Sequence, residues 1–254
     1  MPTRILGVIP ARFASSRFPG KALSLLAGKP ILQHVFERAS GTRYLTRLVV
    51  ATDDERIARA ARGFGAPVAM TRADHLSGTD RVAEVASGDP AGIIVNIQGD
   101  EPLIDPAAID AAVLALLDDP NAPMGTLKKK IDNPAEVANP NVVKVVTNHA
   151  GDAIYFSRSP IPFERGGDEP HQRAVWFKHI GLYVYRRALL LAYSDLPVGP
   201  LERAEKLEQL RALENGYSIR VVETEYESLG VDTPEDLEKV SRLFEAATVK
   251  SIHG

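Results

Sequence analysis

Short apolar runs alternate with helically spaced apolar positions through the first half of the chain. The runs that predict buried strands lie at residues 4–9, 47–52 and 92–98. Helical spacing, which repeats every ~3.6 residues, is present at residues 30–39 and 55–64. Asp105 and Pro106 supply an N-cap and a first-turn proline, which predict a helix over residues 107–117. This alternation predicts an α/β fold with a mostly parallel, Rossmann-like sheet and helices on both faces.

The pattern becomes strand-rich in the second half. Strand-like stretches lie at residues 142–147, 153–157 and 179–185, with a Pro- and Gly-rich segment at 159–170. Further elements are predicted as a helix at 201–213 stopped by Gly216, a strand at 218–222 and a helix at 234–247. The chain shows no internal repeat and no low-complexity linker. We therefore predict a single α/β domain over residues 1–254, with a smaller inserted sheet at about 125–190.

The composition excludes several classes of function. The 254 residues contain no cysteine, which rules out disulfides, thiolate nucleophiles and cysteine-bound metals. The formal net charge is -3, and the cationic triplet 128–130 is predicted to be a solvated strand face, so no nucleic-acid partner is expected. No run approaches the ~18 apolar residues of a membrane span, and the N-terminal run is too short for a signal peptide. We expect a cytoplasmic protein without a membrane partner.

The loop after the first strand is rich in groups that bind phosphate. Residues 10–21, PARFASSRFPGK, contain three cations, two hydroxyls and a glycine. Parallel sheets bind ligands beyond the carboxyl ends of their strands, where guanidinium and backbone N–H groups can hold phosphate oxygens. The loop has neither the glycine pattern of a P-loop nor that of a dinucleotide site. Its residues favour a polyphosphate site over the alternative, a surface loop with solvated cations.

Two aspartates are candidates for metal binding. Asp100 ends a buried strand, directly before a turn, and Asp232 precedes a helix start. Thr233, Pro234 and Asp236 can cap that helix by themselves, which leaves Asp232 without a local structural role. Magnesium prefers a few carboxylates together with phosphate oxygens and water. The alternative for each aspartate is a helix cap or a solvated turn, which is the role assigned to Asp105.

Three motifs resemble those of the CMP-Kdo synthetases, where Kdo is 3-deoxy-manno-octulosonate, and in outline those of the wider sugar nucleotidyltransferases. They are the loop Pro-Ala-Arg-x-x-Ser-x-Arg-x-Pro-x-Lys, the string Gln-Gly-Asp-Glu-Pro and the late Val-Asp-Thr-Pro-Glu-Asp-Leu. The resemblance implies the nucleotide-diphospho-sugar transferase fold and covers about residues 4–243. It implies catalytic roles for Arg12, Arg17, Lys21, Asp100 and Asp232, with Mg²⁺ bound by Asp100 and Asp232. It implies a CTP site formed by Ala11, Arg12, Ser15, Lys21, Arg72, Ser77, Gly78 and Asp100.

The same resemblance extends to the base and the sugar. Residues 70–81 are similar to the family's nucleobase loop, in which Arg72 and Ser77 would hydrogen-bond the edge of cytosine. No catalytic or zinc-binding spacing accompanies His75, so we interpret it as a polar loop residue and not as a general base. The sugar-binding residues implied are Gln98, Arg158, His179, Tyr183, Glu208 and Gln209. Packing or a solvated helix face would explain each of these residues equally well on its own.

The resemblance implies transfer of CMP from CTP to the anomeric hydroxyl of Kdo, which activates Kdo for lipopolysaccharide synthesis. It also implies a homodimer built from the inserted segment at about residues 140–190. Two alternatives stay open from the sequence. The acceptor could be another acidic sugar, such as 8-amino-Kdo or a sialic acid, or the protein could bind a nucleotide without turning it over.

Overall fold

The computed structural model describes residues 3–14, 18–166 and 174–253, and the side chains of the last helix as far as Glu245. The chain divides into two units. Unit 1 comprises residues 1–109 and 228–254, and unit 2 comprises residues 110–227. The prediction of a single domain with an inserted segment stays a prediction.

Unit 1 contains a parallel sheet with the strand order β6-β1-β4-β5. Its strands are β1 (Ile5–Pro10), β4 (Arg47–Thr52), β5 (Val68–Met70) and β6 (Ile93–Asn96). The side chains of β1 and β6 are buried along nearly their whole length, as expected for a parallel sheet covered by other elements. The chain adds β4 and β5 on one side of β1 and then β6 on the other. The gap between the ends of β1 and β6 is therefore a topological switch point, where such sheets bind ligands.

Helices lie between and after these strands, and the sequence pattern predicts all of them except the third. They are α1 (Ile31–Ala39), α2 (Glu55–Gly63), α3 (Gly78–Ser87), the start of α4 (Pro106–Leu117) and α9 (Pro234–His253). A 3₁₀ turn at Lys21–Leu23 and a short hairpin of β2 (Leu25–Leu26) and β3 (Lys29–Pro30) precede α1. The N-cap prediction for α4 is confirmed, because Asp105 Oδ1 accepts a hydrogen bond of 2.9 Å from the Ala107 N–H.

The last segment of the chain packs against the first loop region within unit 1. Leu26 and Ile31 form a buried cluster with Val231 and Val240, which come from the segment before α9 and from α9 itself. Removing such apolar side chains from water is the main favourable term in folding. This packing fixes the start of α9, and with it the residue Asp232, near the end of the parallel sheet.

Unit 2 contains a mixed set of strands. Strand β7 (Met124–Lys130) pairs antiparallel with β10 (Phe177–Arg186) and parallel with β11 (Ile219–Glu223). Strand β8 (Lys144–Thr147) pairs antiparallel with β10 and with β9 (Ala153–Ser157). The described helices are α5 (Pro134–Ala138), α6 (Arg187–Ala192), α7 (Pro200–Glu205) and α8 (Leu210–Glu214), after the end of α4.

The predicted continuous helix over residues 201–213 is wrong. The structure has two short helices, α7 and α8, separated by Lys206, whose φ of 54° lies in the left-handed region. Contacts within unit 2 take over the carbonyl groups that a continuous helix would use. Arg158 Nε donates to the carbonyl of Glu205 at 2.7 Å, and the Tyr193 hydroxyl donates to the carbonyl of Glu208 at 2.9 Å. The break turns Leu207 inward, where it is buried.

The prediction of a solvated lysine face on β7 is also wrong for the first two lysines. Lys128 Nζ donates to Thr147 Oγ1 at 2.9 Å and lies 4.2 Å from the centre of the Phe177 ring. Lys129 Nζ donates to the carbonyl of Glu225 at 2.7 Å and pairs with Glu227. Both aliphatic stems are partly covered, as is common for long cationic side chains. Lys130 alone of the three is exposed.

The predicted fold class is confirmed: the chain is an α/β protein with a mainly parallel sheet flanked by helices. Strand β4 has the bounds that the sequence predicts, and β9 likewise. Over the ranges that the model describes, no helix is long and apolar enough to cross a lipid bilayer.

Candidate active site

A cavity of about 310 Å³ lies at the carboxyl ends of the parallel strands of unit 1. It is lined by residues 10–12 at the end of β1 and just after it, 21–22 in the 3₁₀ turn, 75–78 and Arg81 at α3, 98–100 after β6, and Asp232. These segments come from five places in the sequence, and the switch point between β1 and β6 brings them together. The volume is at the lower end of the range for pockets that hold small molecules.

The first side of the cavity is the cation-bearing loop. The Ala11 N–H donates to the carbonyl of Ala51 at 2.9 Å, which ties the start of the loop to β4. Gly20 adopts a φ of 73° and its N–H donates to the carbonyl of Phe13 at 2.9 Å, so the loop closes on itself before Lys21. Arg12 is exposed and lines the cavity. The predicted site residues Ser15 and Arg17 lie outside the described residues.

Lys21 connects the two predicted metal-binding aspartates. Its Nζ donates to Asp232 Oδ1 at 2.9 Å and also to Asp100 Oδ2. The lysine side chain is 18% exposed. Burial alone would lower the pKa of this ammonium, but attraction and hydrogen bonding to Asp100 and Asp232 together raise it above its usual value. Lys21 is therefore a fixed positive charge within the cavity.

The backbone holds Asp100 and Asp232 together. The Val231 N–H donates to the carbonyl of Asp100 at 2.9 Å and so joins the two motifs directly. A side chain at Gly99 would place its Cβ 2.8 Å from the Pro10 carbonyl oxygen, so only glycine permits this approach to the end of β1. This close approach is what brings the loop after β6 against the loop after β1.

The predicted capping box at the start of α9 is confirmed. The Asp236 N–H donates to Thr233 Oγ1 at 3.2 Å, and the Thr233 N–H donates back to Asp236 Oδ2 at 3.1 Å. Asp236 Oδ2 also accepts from the Asp232 N–H at 3.2 Å. The carboxylate of Asp232 reaches Lys21.

The two carboxylates supply only part of the oxygen ligands that a hard divalent cation needs. Two carboxylates converge on one cationic group, the Lys21 ammonium, which shows that both reach a common position. Within the described ranges no group of three or more His, Asp or Glu side chains is arranged to hold a metal ion. Asp100 and Asp232 therefore fit a magnesium ion that takes its remaining ligands from phosphate oxygens and water.

The start of α3 forms the opposite side of the cavity. Ser77 is the N-cap of α3, and its hydroxyl accepts a hydrogen bond of 3.1 Å from the Asp80 N–H. Gly78 is the first residue of the helix, and a Cβ there would meet only the Pro10 ring, at 3.7 Å. Both residues line the cavity. Backbone N–H groups at a helix start favour negative charge or an acceptor atom nearby.

Arg72 does not line the cavity, in contrast to the role predicted for it. Its side chain is 70% exposed and pairs with Asp74, while its backbone N–H donates to Glu84 at 3.1 Å. Arg81 lies at the cavity instead. This side chain is 5% exposed and pairs with Asp53 at 3.0 Å and with Thr71. Sequence reasoning missed Arg81, although its position one turn into a helix that starts at the cavity is a signal that could have revealed it.

His75 lies in the loop before α3, as predicted, and it also lines the cavity. Its side chain is 5% exposed and its Nε2 contacts Glu84 Oε2. Burial would raise the pKa of Glu84, but the hydrogen bonds from His75 and from the Arg72 N–H lower it. Glu84 is thus an ionised anchor for the loop before α3.

The predicted sugar-binding residues of unit 2 fall into two groups. His179 and Tyr183 lie together on β10, with ring centres 5.4 Å apart, and burial raises the pKa of Tyr183, followed by the charges of Tyr193 and Glu208. Gln209 is 4% exposed and its Nε2 has no hydrogen-bond partner among the described atoms. Arg158 belongs to a separate network, because its guanidinium donates to the carbonyls of Glu205 and Pro140. Gln98 lies in unit 1 and lines the cavity.

A parallel α/β sheet with a cationic loop and two carboxylates at its switch point is typical of proteins that transfer nucleotides. The cytidylyltransferase family model matches residues 6–224. A 3-deoxy-manno-octulosonate cytidylyltransferase from Solibacter usitatus is 70% identical over 99% of both chains. Another, from Geobacter sulfurreducens, is 59% identical over 93% of this chain and 97% of its own. The solved structure of a CMP:2-keto-3-deoxy-manno-octonic acid synthetase with CTP matches with a TM-score of 0.91 and 46% identity, over 96% of this chain and all of its own, 100%.

The chain belongs to the cytidylyltransferase family, and within it to the 3-deoxy-manno-octulosonate cytidylyltransferases, also called CMP-Kdo synthetases.

Proposed function

We propose that this protein transfers CMP from CTP to the anomeric hydroxyl of Kdo and releases pyrophosphate. The observation that carries the proposal is the convergence of Asp100, Asp232 and Lys21 at one end of a cavity at the sheet's switch point. Relatives with up to 70% identity carry the name of this activity. The product activates Kdo for lipopolysaccharide synthesis, and the need for CTP implies a cytoplasmic site of action.

The reaction is an in-line displacement at the α-phosphate, with the sugar hydroxyl as the attacking group and pyrophosphate as the leaving group. Arg12 and Lys21 would hold the phosphate oxygens, and Arg17 would add a third cation from the same loop. The Lys21 ammonium is charged and lies at the cavity, so it would stabilise the leaving pyrophosphate. No group of the protein forms a covalent intermediate in this scheme.

Asp100 and Asp232 would hold Mg²⁺ together with phosphate oxygens. When bound, the ion supplies neutralisation of triphosphate charge and a lower pKa for the attacking hydroxyl. The protein's own part is to hold two carboxylates at one position, through the Val231–Asp100 backbone hydrogen bond and the cap of α9. Lys21 donates to both carboxylates and holds them close together.

The start of α3 would recognise the base of CTP. Ser77 and Gly78 present backbone groups to the cavity, and His75 stands beside them. A site with polar groups aimed at the edge of cytosine rejects a base that leaves those groups unpaired. The exposed side chain of Arg72 gives this proposal no support, so recognition of the base is assigned to the residues that line the cavity.

The decisive experiment measures pyrophosphate release by the purified protein with Mg²⁺, each of the four nucleoside triphosphates, and Kdo, 8-amino-Kdo or N-acetylneuraminate. Release that requires both CTP and Kdo supports the proposed function. Release with another acidic sugar alone would move the acceptor while keeping the nucleotide site. Binding of CTP without release under any pairing would favour a silent nucleotide-binding protein.

We also propose that the protein is a homodimer that uses the segment at about residues 140–190. Large apolar side chains of this segment are exposed: Ile154 by 61%, Phe163 by 84% and Val175 by 51%. Sedimentation velocity of the wild type and of Phe163→Ser tests this, with Leu243→Ser as the control because Leu243 is exposed by 48% outside the segment. A wild type that sediments as a monomer would refute the dimer, and a dimer weakened equally by both variants would refute the segment.

A further inference from the structure

Strand β10 carries an irregularity opposite Thr126. Ile180 pairs with Leu127 and Val184 pairs with Gly125, so residues 181–183 of β10 stand opposite the single residue Thr126 of β7. Such bulges interrupt the ladder and re-aim side chains, and they are frequent next to functional sites. The bulge lies between His179 and the end of β10, and it includes Tyr183.

The Thr126 hydroxyl has three hydrogen-bonding neighbours, all within unit 2. Its Oγ1 lies 3.0 Å from the carbonyl oxygen of Ile180, 2.9 Å from that of Leu182 and 2.9 Å from His179 Nε2. Thr126 is completely buried, at 0% exposure, so water does not compete for these contacts. The hydroxyl thus replaces the backbone donors that the bulge removes from the ladder.

The number of protons decides which way each of these hydrogen bonds runs. A carbonyl oxygen only accepts, and a hydroxyl has one proton and two lone pairs. The hydroxyl proton must therefore point to the carbonyls of Ile180 and Leu182, because oxygens at 2.9–3.0 Å without a proton between them would repel. A lone pair of Oγ1 then faces His179, so that Nε2 must carry a hydrogen and donate it.

This assigns the tautomer of His179. Burial lowers the pKa of the imidazole from 6.5 to about 3, so the ring is neutral at physiological pH. A neutral imidazole with a hydrogen on Nε2 has a bare Nδ1, which can only accept. The ring makes its hydrogen bond to Thr126 through Nε2, and it packs between Phe156 at 4.9 Å and Tyr183 at 5.4 Å.

We propose that Thr126 is a positioning residue that fixes His179 as the Nε2–H tautomer, so that Nδ1 accepts a hydrogen bond from a hydroxyl of the acceptor sugar. An acceptor atom repels a carboxylate, and the acidic group of the sugar is therefore bound elsewhere. The hydrogen on Nε2 is assigned by the geometry of β7 and β10, and the bare Nδ1 follows because the ring is neutral. The identity of the ligand rests on the proposed function.

The test is nitrogen-15 NMR of the full-length protein labelled at histidine, with His179 assigned by its loss in His179→Gln. The wild type should show a protonated Nε2 and an unprotonated Nδ1. Thr126→Val removes the acceptor and should populate the Nδ1–H form, whereas Thr126→Ser keeps the hydroxyl and should preserve the wild-type signal. A wild-type spectrum with Nδ1–H, or an unchanged tautomer in Thr126→Val, would overturn the proposal.

Kinetics and ligand titration test the role in sugar binding. Thr126→Val should raise the KM for Kdo about tenfold, the effect of one lost hydrogen bond, while the KM for CTP stays unchanged and Thr126→Ser resembles the wild type. Added Kdo should shift the Nδ1 resonance of a ring that stays neutral. Protonation of the ring on addition of Kdo would overturn the proposal, since it would mean that His179 binds the carboxylate.

The two proposals fail in distinguishable ways. If the wild type releases no pyrophosphate from CTP and Kdo, the proposed function fails while the NMR spectrum still decides the tautomer. If Thr126→Val does not fold, the wild-type spectrum and the Thr126→Ser kinetics decide between the outcomes.

Discussion

Asp100 and Asp105 lie in the same loop, yet their carboxylates have different partners. Asp100 pairs with Lys21 in the cavity, whereas Asp105 caps α4 through the Ala107 N–H. Substituting each residue in turn therefore separates the effect of losing a carboxylate at the site from the effect of losing one nearby. Both residues are aspartates in the loop between β6 and α4, so each serves as a matched control for the other.

We predict that Asp100→Asn lowers the rate of pyrophosphate release by about a hundredfold or more, because it removes a charge placed at the reacting phosphates. Asp105→Asn should keep the wild-type rate, since asparagine also caps helices well. Steady-state rates and circular dichroism check both variants. Near-normal turnover of a folded Asp100→Asn protein would contradict the assignment of Asp100 to the site.

His179 gives a prediction about stability and pH. The imidazole has an ordinary pKa of 6.5, which applies in the unfolded chain, and burial lowers this pKa to about 3 in the folded protein. As the pH falls below 6.5, the unfolded chain binds a proton that the folded chain does not, so the free energy of unfolding decreases with falling pH. The slope from this residue is at most about 1.4 kcal/mol per pH unit.

Urea unfolding between about pH 7 and pH 5 measures this slope. The wild type should lose more stability over that interval than His179→Gln, which has no proton to bind. Parallel profiles for the two proteins would show that His179 titrates normally in the folded state.

At the scale of elements, the approach of two loop backbones determines where the site lies. Gly99 follows β6 and touches the end of β1, where any Cβ would meet the Pro10 carbonyl oxygen at 2.8 Å. Gly63, at the end of α2, has no neighbour within 4 Å of such a Cβ. Gly99 therefore has no room for a side chain, whereas Gly63 has room for one, and both residues belong to unit 1.

We predict that Gly99→Ala destabilises the fold by about 1–3 kcal/mol and weakens CTP binding, because the added methyl group forces the ends of β1 and β6 apart. Gly63→Ala should instead stabilise the protein by about 0.4–1 kcal/mol through the lower entropy of the unfolded chain. Thermal unfolding and CTP titration by calorimetry measure both effects. Equal behaviour of the two variants would contradict the close approach at Gly99.

The strands, helices and loops also show which features could be predicted from the sequence and which could not. The parallel strands are continuous apolar runs, and Asp232 could be singled out because its neighbours complete the cap of α9. The choice between Arg72 and Arg81 depends on where α3 starts, and a helix start at Ser77 would have indicated Arg81. The break in the helix at Lys206 depends on Arg158, which is distant in sequence and takes the Glu205 carbonyl.

At the scale of the whole molecule, an acidic chain must bind acidic substrates. The formal net charge is -3, so the attraction for CTP must come from local cations and not from the overall field. The lining residues of the nucleotide cavity all belong to unit 1, whereas Arg158, His179, Tyr183, Glu208 and Gln209 belong to unit 2. Gln98 is the predicted sugar-binding residue that belongs to unit 1 and lines its cavity.

We predict that CTP with Mg²⁺, without Kdo, slows amide hydrogen exchange mainly in residues 11–12, 75–78 and 98–100, which line the cavity. Exchange through local openings reports on the nearby structure, so the amides of β10 around His179 should change little until Kdo is added. At a CTP concentration about 100 times its Kd, binding should also raise the free energy of unfolding by about 2.7 kcal/mol, and UTP at the same concentration should raise it less. Mass spectrometry of exchanged peptides provides the measurement. Protection by CTP that begins in β10 would place the nucleotide in unit 2 and would contradict the assignment of the cavity.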